Sequence, residues 1–277
     1  MGLLVVFCMS FDGIVEILAD TPDYVVVNKP PGISVQREAL IDEKSVDEGA
    51  PDSDDMFGAD DGSDASGNRV AAAVGQFSTG PSLLELVAEM CGVERLLPVH
   101  RLDKMTSGVM VMAKHTEANR QLSMAFAQRQ VEKYYVAIAD GKPRKKQGLI
   151  SGDMIRSRSG SWKLLPTRNN PAITQFFSCS VGEGRRLYLL RPHTGKTHQL
   201  RVALKSIAAP IVGDKRYAGT AADRGYLHAY VLRFPWQGEL QTFSALPKQG
   251  SLFLAETFIE ALQEFAKPWE LPWPAIK

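Results

Sequence analysis

Residues 100–113 read HRLDKMTSGVMVMA, a polar loop followed by the short apolar strand Val109–Ala113. The loop places Asp103 between Arg101 and Lys104. A carboxylate among cations stays ionised, which a catalytic nucleophile or base requires. A salt bridge in a surface loop has the same pattern, and spacing alone leaves both interpretations open.

The segments on either side of this loop alternate between strand and helix patterns. Upstream, Val15–Leu18 and Tyr24–Asn28 predict a hairpin, and a capping box at Ser82 predicts a helix over 82–91. Downstream, the patterns predict a helix capped by Thr116, a strand over Val131–Ala139, a hairpin of Ala172–Val181 and Arg185–Arg191, a helix over 197–208, a hairpin of Leu227–Phe234 and Glu239–Ser244, and a helix from Leu254 to Phe265. We therefore predict an α+β fold whose central sheet is mixed and largely antiparallel, with flanking helices.

Composition excludes several classes of protein. The 277 residues contain three cysteines, which are far apart, so a disulfide scaffold and a cysteine-rich zinc site are both excluded. No apolar run approaches the roughly 18 residues of a membrane span. The apolar stretch Leu3–Met9 is short and lacks the basic start of a signal peptide. We expect a cytoplasmic protein.

The overall charge of +1 hides a strong asymmetry. Residues 38–64 contain eleven acidic residues and one lysine, a net charge of −10, so the rest of the chain carries +11. We predict that 38–80 is a disordered acidic insertion, because it has too few large apolar residues to form a core. A segment that mimics nucleic acid is the alternative. The remaining chain is basic enough to bind a polyanion.

Two basic segments are candidates for that binding. Residues 185–201 contain five basic residues and no acid, around a glycine turn where a helix begins. Residues 142–168 contain eight basic residues around Trp162, a pattern that suits a nucleic-acid backbone and a stacked base. A polar helix cap and a solvated loop are the respective alternatives. The candidate contacts to an RNA backbone are Lys145, Lys146, Arg156, Arg158, Arg191 and Lys196.

Several of these segments together resemble the RluA-type pseudouridine synthases. The loop His100–Gly108 is similar to the family's second motif, and Val26–Gly32 resembles its Asn-Lys-Pro-x-Gly strand end. The remaining similarities are Lys133-x-Tyr135-x-Ala137, Thr194–Arg201, Pro210–Tyr217, Leu227–Ala229 and Phe243–Pro247. The resemblance covers about 14–247 in matching order. It departs from the family at the long acidic insertion.

The resemblance implies a pseudouridine synthase fold, with one catalytic domain over 14–266 that is interrupted by 38–80. It is similar to the short members that lack a separate S4 RNA-binding domain. The implied reaction is isomerisation of uridine to pseudouridine in ribosomal or transfer RNA, on a base extruded from its stack. No cofactor and no metal are expected. We also expect a monomer.

The resemblance further implies roles for individual residues. Asp103 is the expected catalytic aspartate, Arg201 pairs with it, and Tyr135 stacks on the uracil. Arg101 fills the gap that the extruded base leaves. The other expected contacts to substrate or its pocket are Lys29, His100, Thr106, Ile211 and Val212.

Two other functions use the same residues. An RNA-binding protein without catalysis needs only the basic surface, but Asp103, Tyr135 and Arg201 are all present, which disfavours it. A phosphoesterase could use His100 and Asp103 as acid and base. That reaction lacks a plausible set of metal ligands, because His193 and His198 have no carboxylate or cysteine companion.

Overall fold

A computed structural model of the chain describes residues 15–37, 80–141, 143, 145–157 and 160–276. The predictions for Leu3–Met9 and for the acidic insertion, apart from residue 80, lie outside the described residues. Within them the helices are α1 (Leu83–Met90), α2 (Thr116–Ala127), α3 (Gln199–Ser206) and α4 (Glu256–Gln263). The strands are β1 (Glu16–Asp20), β2 (Tyr24–Lys29), β3 (Leu97–Pro98), β4 (Ser107–Ala113), β5 (Glu132–Asp140), β6 (Gln147–Gly152), β7 (Met154–Arg156), β8 (Trp162–Leu164), β9 (Ala172–Gly182), β10 (Arg185–Pro192), β11 (Leu227–Trp236) and β12 (Glu239–Ser244).

Ten of the described strands form one sheet, in the order β1-β2-β4-β11-β5-β10-β9-β6, with β12 beside β11 and β3 beside β4. The pair β4–β11 is parallel, and the other neighbouring pairs are antiparallel. The predicted α+β fold with a mixed, largely antiparallel sheet is therefore confirmed. Every residue of β4 is buried, which agrees with its unbroken apolar sequence.

The loop with Asp103 and the strand with Tyr135 come close together at the centre of the sheet. The loop with Asp103 enters β4, which lies next to β11, and β11 lies next to β5. Gly108 of β4 pairs with Ala229 of β11, and Ala229 pairs with Tyr135 of β5. The aspartate loop and Tyr135 are thus held by three adjacent strands.

Helix ends follow local sequence, with one correction. The capping box predicted at Ser82 forms, since Ser82 and Glu85 each bond the other's backbone N–H. Helix α2, however, is capped by His115 and not by Thr116. The backbone of His115 is extended, as an N-cap requires, and its Nδ1 accepts the N–H of Ala118 at 3.2 Å.

Two predicted segments need correction. Part of 142–168 is strand, with β6 at the edge of the sheet and β7–β8 as a separate hairpin. Ile150 of β6 is buried in the main core, and short strands of this kind leave little periodicity to detect. The last helix begins at Glu256, and Leu254 is exposed.

Because β4 and β11 lie very close together at Gly108, replacing this glycine should lower the free energy of unfolding by an unusually large amount. Gly108 has φ +116°, and a Cβ there would lie 2.2 Å from the carbonyl oxygen of Ala229. Gly238 has φ +86° in a turn with no atom within 4 Å of such a Cβ. Gly238→Ala should cost about 1–2 kcal/mol from backbone strain alone. Gly108→Ala should cost about 3 kcal/mol or more, because overpacking adds to the strain. Urea denaturation of both variants checks this, and equal losses would contradict it.

Candidate active site

A buried arginine joins two carboxylates. Arg201 of α3 donates from Nη1 to Oδ2 of Asp103 at 3.0 Å. On its other side, Nε and Nη2 donate to both oxygens of Asp214, at 2.7 and 2.8 Å. The exposed fraction of the side chain is 8% for Arg201, 1% for Asp214 and 25% for Asp103. The only one of the three that faces solvent to any extent is therefore Asp103.

The two contacts have different consequences. A two-point contact to Asp214 fixes the plane of the Arg201 guanidinium, so that Nη1 points at Asp103. Burial alone would lower the pKa of Arg201, but the hydrogen bonds and charges of Asp214 and Asp103 raise it above its ordinary value. Oδ1 of Asp103 has no hydrogen-bond partner among the described residues. This oxygen is available to a substrate.

Lys29 organises the aspartate loop from beneath. Its side chain is fully buried, and Nζ donates to the carbonyls of Pro30, Lys104 and Thr106 at 3.1, 3.3 and 2.8 Å. Burial lowers the pKa of Lys29 to about 7, although the charge of Asp103 opposes that shift. Thr106 is buried too, and its N–H closes the loop on the carbonyl of Asp103 at 2.9 Å. In this structure Lys29 and Thr106 hold the loop, and their contact with the substrate or its pocket stays a prediction.

Tyr135 lies half-buried in β5, where it packs against both the main core and the core beneath β2 and β4. Burial and then the charge of Asp103 raise the pKa of Tyr135, so the phenol stays neutral. Ile211 and Val212 are buried in the main core cluster. They support the region around the tyrosine from within the core.

His100 is occupied by structural contacts. Its Nε2 accepts the backbone N–H of Val111 at 3.1 Å, and its ring stacks on Phe126 at a centroid distance of 4.7 Å. Burial, and then the charge of Lys133, lower the pKa of His100 to about 3. A neutral imidazole with its Nε2 occupied is a poor general acid, which argues against the phosphoesterase. The next residue, Arg101, is exposed at the mouth of the loop.

The residues predicted to contact an RNA backbone differ in their exposure to solvent. Lys145, Lys146 and Arg156 are exposed, and Arg156 lies 5.8 Å from the ring of Trp162. Arg158 lies outside the described residues. Lys196 is half-buried in the loop before α3.

Arg191 does not share that arrangement. It forms an ion pair with Glu132 at 3.0 Å and lies over the rings of Tyr134 and Trp273. Tyr134 and Tyr135 point to opposite faces of β5, because neighbours in a strand alternate. Arg191, in β10, thus lies on the face of the sheet away from Tyr135, and its contact with an RNA backbone stays a prediction.

Two residues of the site have no role in the sequence analysis. Asp214 holds Arg201, and Tyr217 packs its ring 5.0 Å from the guanidinium carbon of Arg201. The hydroxyl of Tyr217 accepts the N–H of Trp162 at 3.0 Å and bonds Nδ1 of His198 at 2.9 Å. Both residues lie in the segment Pro210–Tyr217, which resembles a family motif. That resemblance by itself did not indicate a role for either residue.

Neither a metal site nor a membrane helix is found in the part of the chain that the structure describes. No group of three or more His, Cys, Asp or Glu side chains there could hold a metal ion. None of the helices there is long and apolar enough to cross a membrane.

Comparisons with known proteins agree with one another. The sequence profile of the family described as RNA pseudouridylate synthase matches residues 23–206. An uncharacterised RNA pseudouridine synthase of Haemophilus influenzae is 45% identical over 190 residues, which cover 68% of this chain and 85% of that protein. The dual-specificity RNA pseudouridine synthase RluA of Escherichia coli is 35% identical over 156 residues, or 53% of this chain and 71% of that protein.

The fold is similar to that of solved structures. The human RNA pseudouridylate synthase domain containing 1 superposes with a TM-score of 0.60 at 21% identity, over 86% of each chain. The human RNA pseudouridylate synthase domain containing 4 superposes with a TM-score of 0.58 at 23% identity, over 95% of each chain. At these identities the likeness concerns the fold alone.

The buried ammonium of Lys29 predicts a pH-dependent contribution to stability. Its pKa is about 7 in the folded chain and 10.5 ordinarily, so between these values the unfolded chain binds more protons. Stability from this group therefore rises with pH across that window, by at most about 1.4 kcal/mol per pH unit. Lys29→Met leaves three carbonyls without their donor and should destabilise the protein.

The deficit of Lys29→Met relative to the wild type should widen from pH 7 to pH 10. Urea denaturation at several pH values measures it, and Lys205→Met, at an exposed position on α3, gives the effect of losing a surface lysine. A deficit that stays constant with pH would contradict the prediction.

Proposed function

This chain belongs to the RNA pseudouridylate synthase family, and we propose that Asp103, Tyr135 and Arg201 carry out its reaction. Members are isomerases, and this chain is an RNA pseudouridine synthase that converts uridine to pseudouridine. The observation that supports the assignment is the 3.0 Å contact of Arg201 with Asp103, held from behind by Asp214. The same contact leaves Oδ1 of Asp103 without a partner among the described residues, in a partly closed site.

The reaction moves one bond of the nucleotide. The glycosidic bond from N1 to C1′ breaks, the uracil turns, and C5 bonds to C1′. C5 then loses its proton and N1 gains one, so the product is an isomer of the substrate. Asp103 begins this sequence either by attack on C1′ or by removal of a ribose proton. Both use the carboxylate of Asp103, which Nη1 of Arg201 contacts at 3.0 Å.

We propose that Tyr135, as a neutral phenol, contacts the uracil ring. The raised pKa of its hydroxyl favours the neutral phenol, so we assign Tyr135 stacking on the extruded uracil and assistance to proton transfer at C5 as a hydrogen-bond donor. Arg101, exposed next to the loop, would occupy the space that the base leaves in the RNA. Lys29 and Thr106 act as positioning residues for the loop.

The target class comes from the names of relatives. One relative is a ribosomal large subunit pseudouridine synthase D of Vibrio vulnificus, and another is the dual-specificity enzyme of Escherichia coli. We propose a uridine in ribosomal or transfer RNA. We also propose a monomeric cytoplasmic enzyme with one catalytic domain over 14–266, interrupted by the insertion at 38–80.

Asp103→Asn should remove turnover, because the amide keeps the shape of the side chain and loses its charge. We expect a fall of about a thousandfold or more, the scale seen when a catalytic group is lost. The matched control is Asp20→Asn, which changes a surface carboxylate paired with Lys114. Residual activity of Asp103→Asn within about tenfold of the wild type would contradict the role of Asp103.

The measurement begins in cells that lack the gene. Pseudouridine mapping of their total RNA should show at least one uridine that is no longer modified. The wild type and Asp20→Asn should restore that site, and Asp103→Asn should not. If no position changes in ribosomal or transfer RNA, the proposed target class is wrong.

The basic residues of 142–168 should bind RNA without acting on the base. Replacing Lys145, Lys146, Arg156 and Arg158 with alanine should weaken binding and reduce the dependence of log K on log salt, because fewer counterions are released. Turnover at saturating RNA should stay the same. Filter binding over a salt series and single-turnover rates separate the two effects. Unchanged affinity and slope would mean that this segment is an ordinary solvated surface.

A further inference from the structure

A half-buried lysine lies close to Tyr135 in β5 and has no assigned role. Lys133 precedes Tyr135 by two residues in β5, so both side chains point to the same face. Nζ of Lys133 lies 5.8 Å from the ring centre of Phe126 in α2. On the other side, a Cβ placed on Gly195 would be 3.8 Å from Nζ, which locates the ammonium against the loop before α3.

Among the described residues, this ammonium faces no opposing charge. No carboxylate among the described residues forms an ion pair with Lys133. Its neighbour Glu132 is occupied by Arg191 at 3.0 Å and by Arg233 at 2.6 Å. Burial lowers the pKa of Lys133 to about 8, with no compensating carboxylate. Its charge also helps to lower the pKa of His193.

The buried cations Arg201 and Lys29 both have partners in the protein. Arg201 has two carboxylates, and Lys29 has three carbonyls. Removing a cation from water without a partner costs free energy, and an incoming anion would recover part of it. Lys133 is therefore placed as a binding group for an anion that arrives with the substrate.

Resting on the proposed function, we propose that Lys133 binds a phosphodiester of the RNA strand beside the extruded uridine. The phosphate is the charged group of every nucleotide, and a compact ammonium binds it as a point charge. Two positions along a strand span about 6.7 Å, so a phosphate on Lys133 and a base on Tyr135 can belong to neighbouring parts of one nucleotide. This contact orients the ribose toward Asp103, and it makes Lys133 a positioning residue.

The first test measures binding to polyuridylate, which requires no knowledge of the natural target. Lys133→Met should weaken binding about tenfold at moderate salt, the worth of one hydrogen bond to a charged group. It should also reduce the slope of log K against log salt by about 0.7, as expected for one lost phosphate contact on a single strand. Lys133→Arg should keep the slope, and so should the control Lys205→Met. An unchanged slope in Lys133→Met overturns the proposal.

The second test distinguishes a phosphate contact from a structural role. A hairpin RNA with the mapped uridine carries a single neutral methylphosphonate at one of the linkages that flank it. The wild type and Lys205→Met should lose about tenfold in affinity at one linkage, and Lys133→Met should lose nothing further there. Losses in Lys133→Met that equal those of the wild type at every linkage overturn the proposal.

Two further measurements distinguish a failure of the Lys133 proposal from misfolding of the variant and from failure of the proposed function. Thermal unfolding shows whether Lys133→Met is folded, and Lys133→Gln replaces it if it is not. If the mapping finds no modified uridine, the proposed function fails, and the polyuridylate slope still decides the role of Lys133.

Discussion

The Arg201 cation between Asp103 and Asp214 is the interaction on which the site depends. Its carboxylates lie 98 residues before and 13 residues after it in sequence, so only the folded chain brings the three together. Two negative charges and one positive charge leave the group anionic. A buried pair is costly unless its hydrogen bonds are complete, and the two-point contact to Asp214 meets that condition. The contact with Arg201 therefore stabilises the Asp103 side chain and leaves its Oδ1 available to a substrate.

Three basic residues near the site have different functions, although the sequence shows each as one positive charge. Arg201 binds two carboxylates, Lys29 binds three carbonyls of a loop, and Lys133 contacts the ring of Phe126 but no carboxylate among the described residues. The charge that remains uncompensated is the one suited to a ligand. Charge counting over a segment cannot make this distinction, because the partner atoms come from distant parts of the chain.

Tyr217 connects the site to the β7–β8 hairpin. Its ring faces the guanidinium of Arg201, while its hydroxyl bonds the backbone N–H of Trp162 in β8. The exposed Arg156 lies on the same hairpin, across from Trp162. Tyr217 therefore contacts both Arg201 of the site and the hairpin that carries the exposed Arg156.

The sequence by itself determined the α+β fold, most of the strands and helices, and the family, because apolar periodicity and the 100–108 loop are local. It also identified Asp103, Tyr135 and Arg201 as residues of one site, through the resemblance. Only the tertiary structure decided that His115 caps α2, that part of 142–168 is strand, and that Arg191 of β10 contacts Tyr134 on the face of the sheet away from Tyr135. It alone assigned Asp214 to Arg201 and left Lys133 without a carboxylate. The physical reason is that a side chain's role follows from the atoms within a few ångströms of it, and in a sheet of non-consecutive strands those atoms are far apart in sequence.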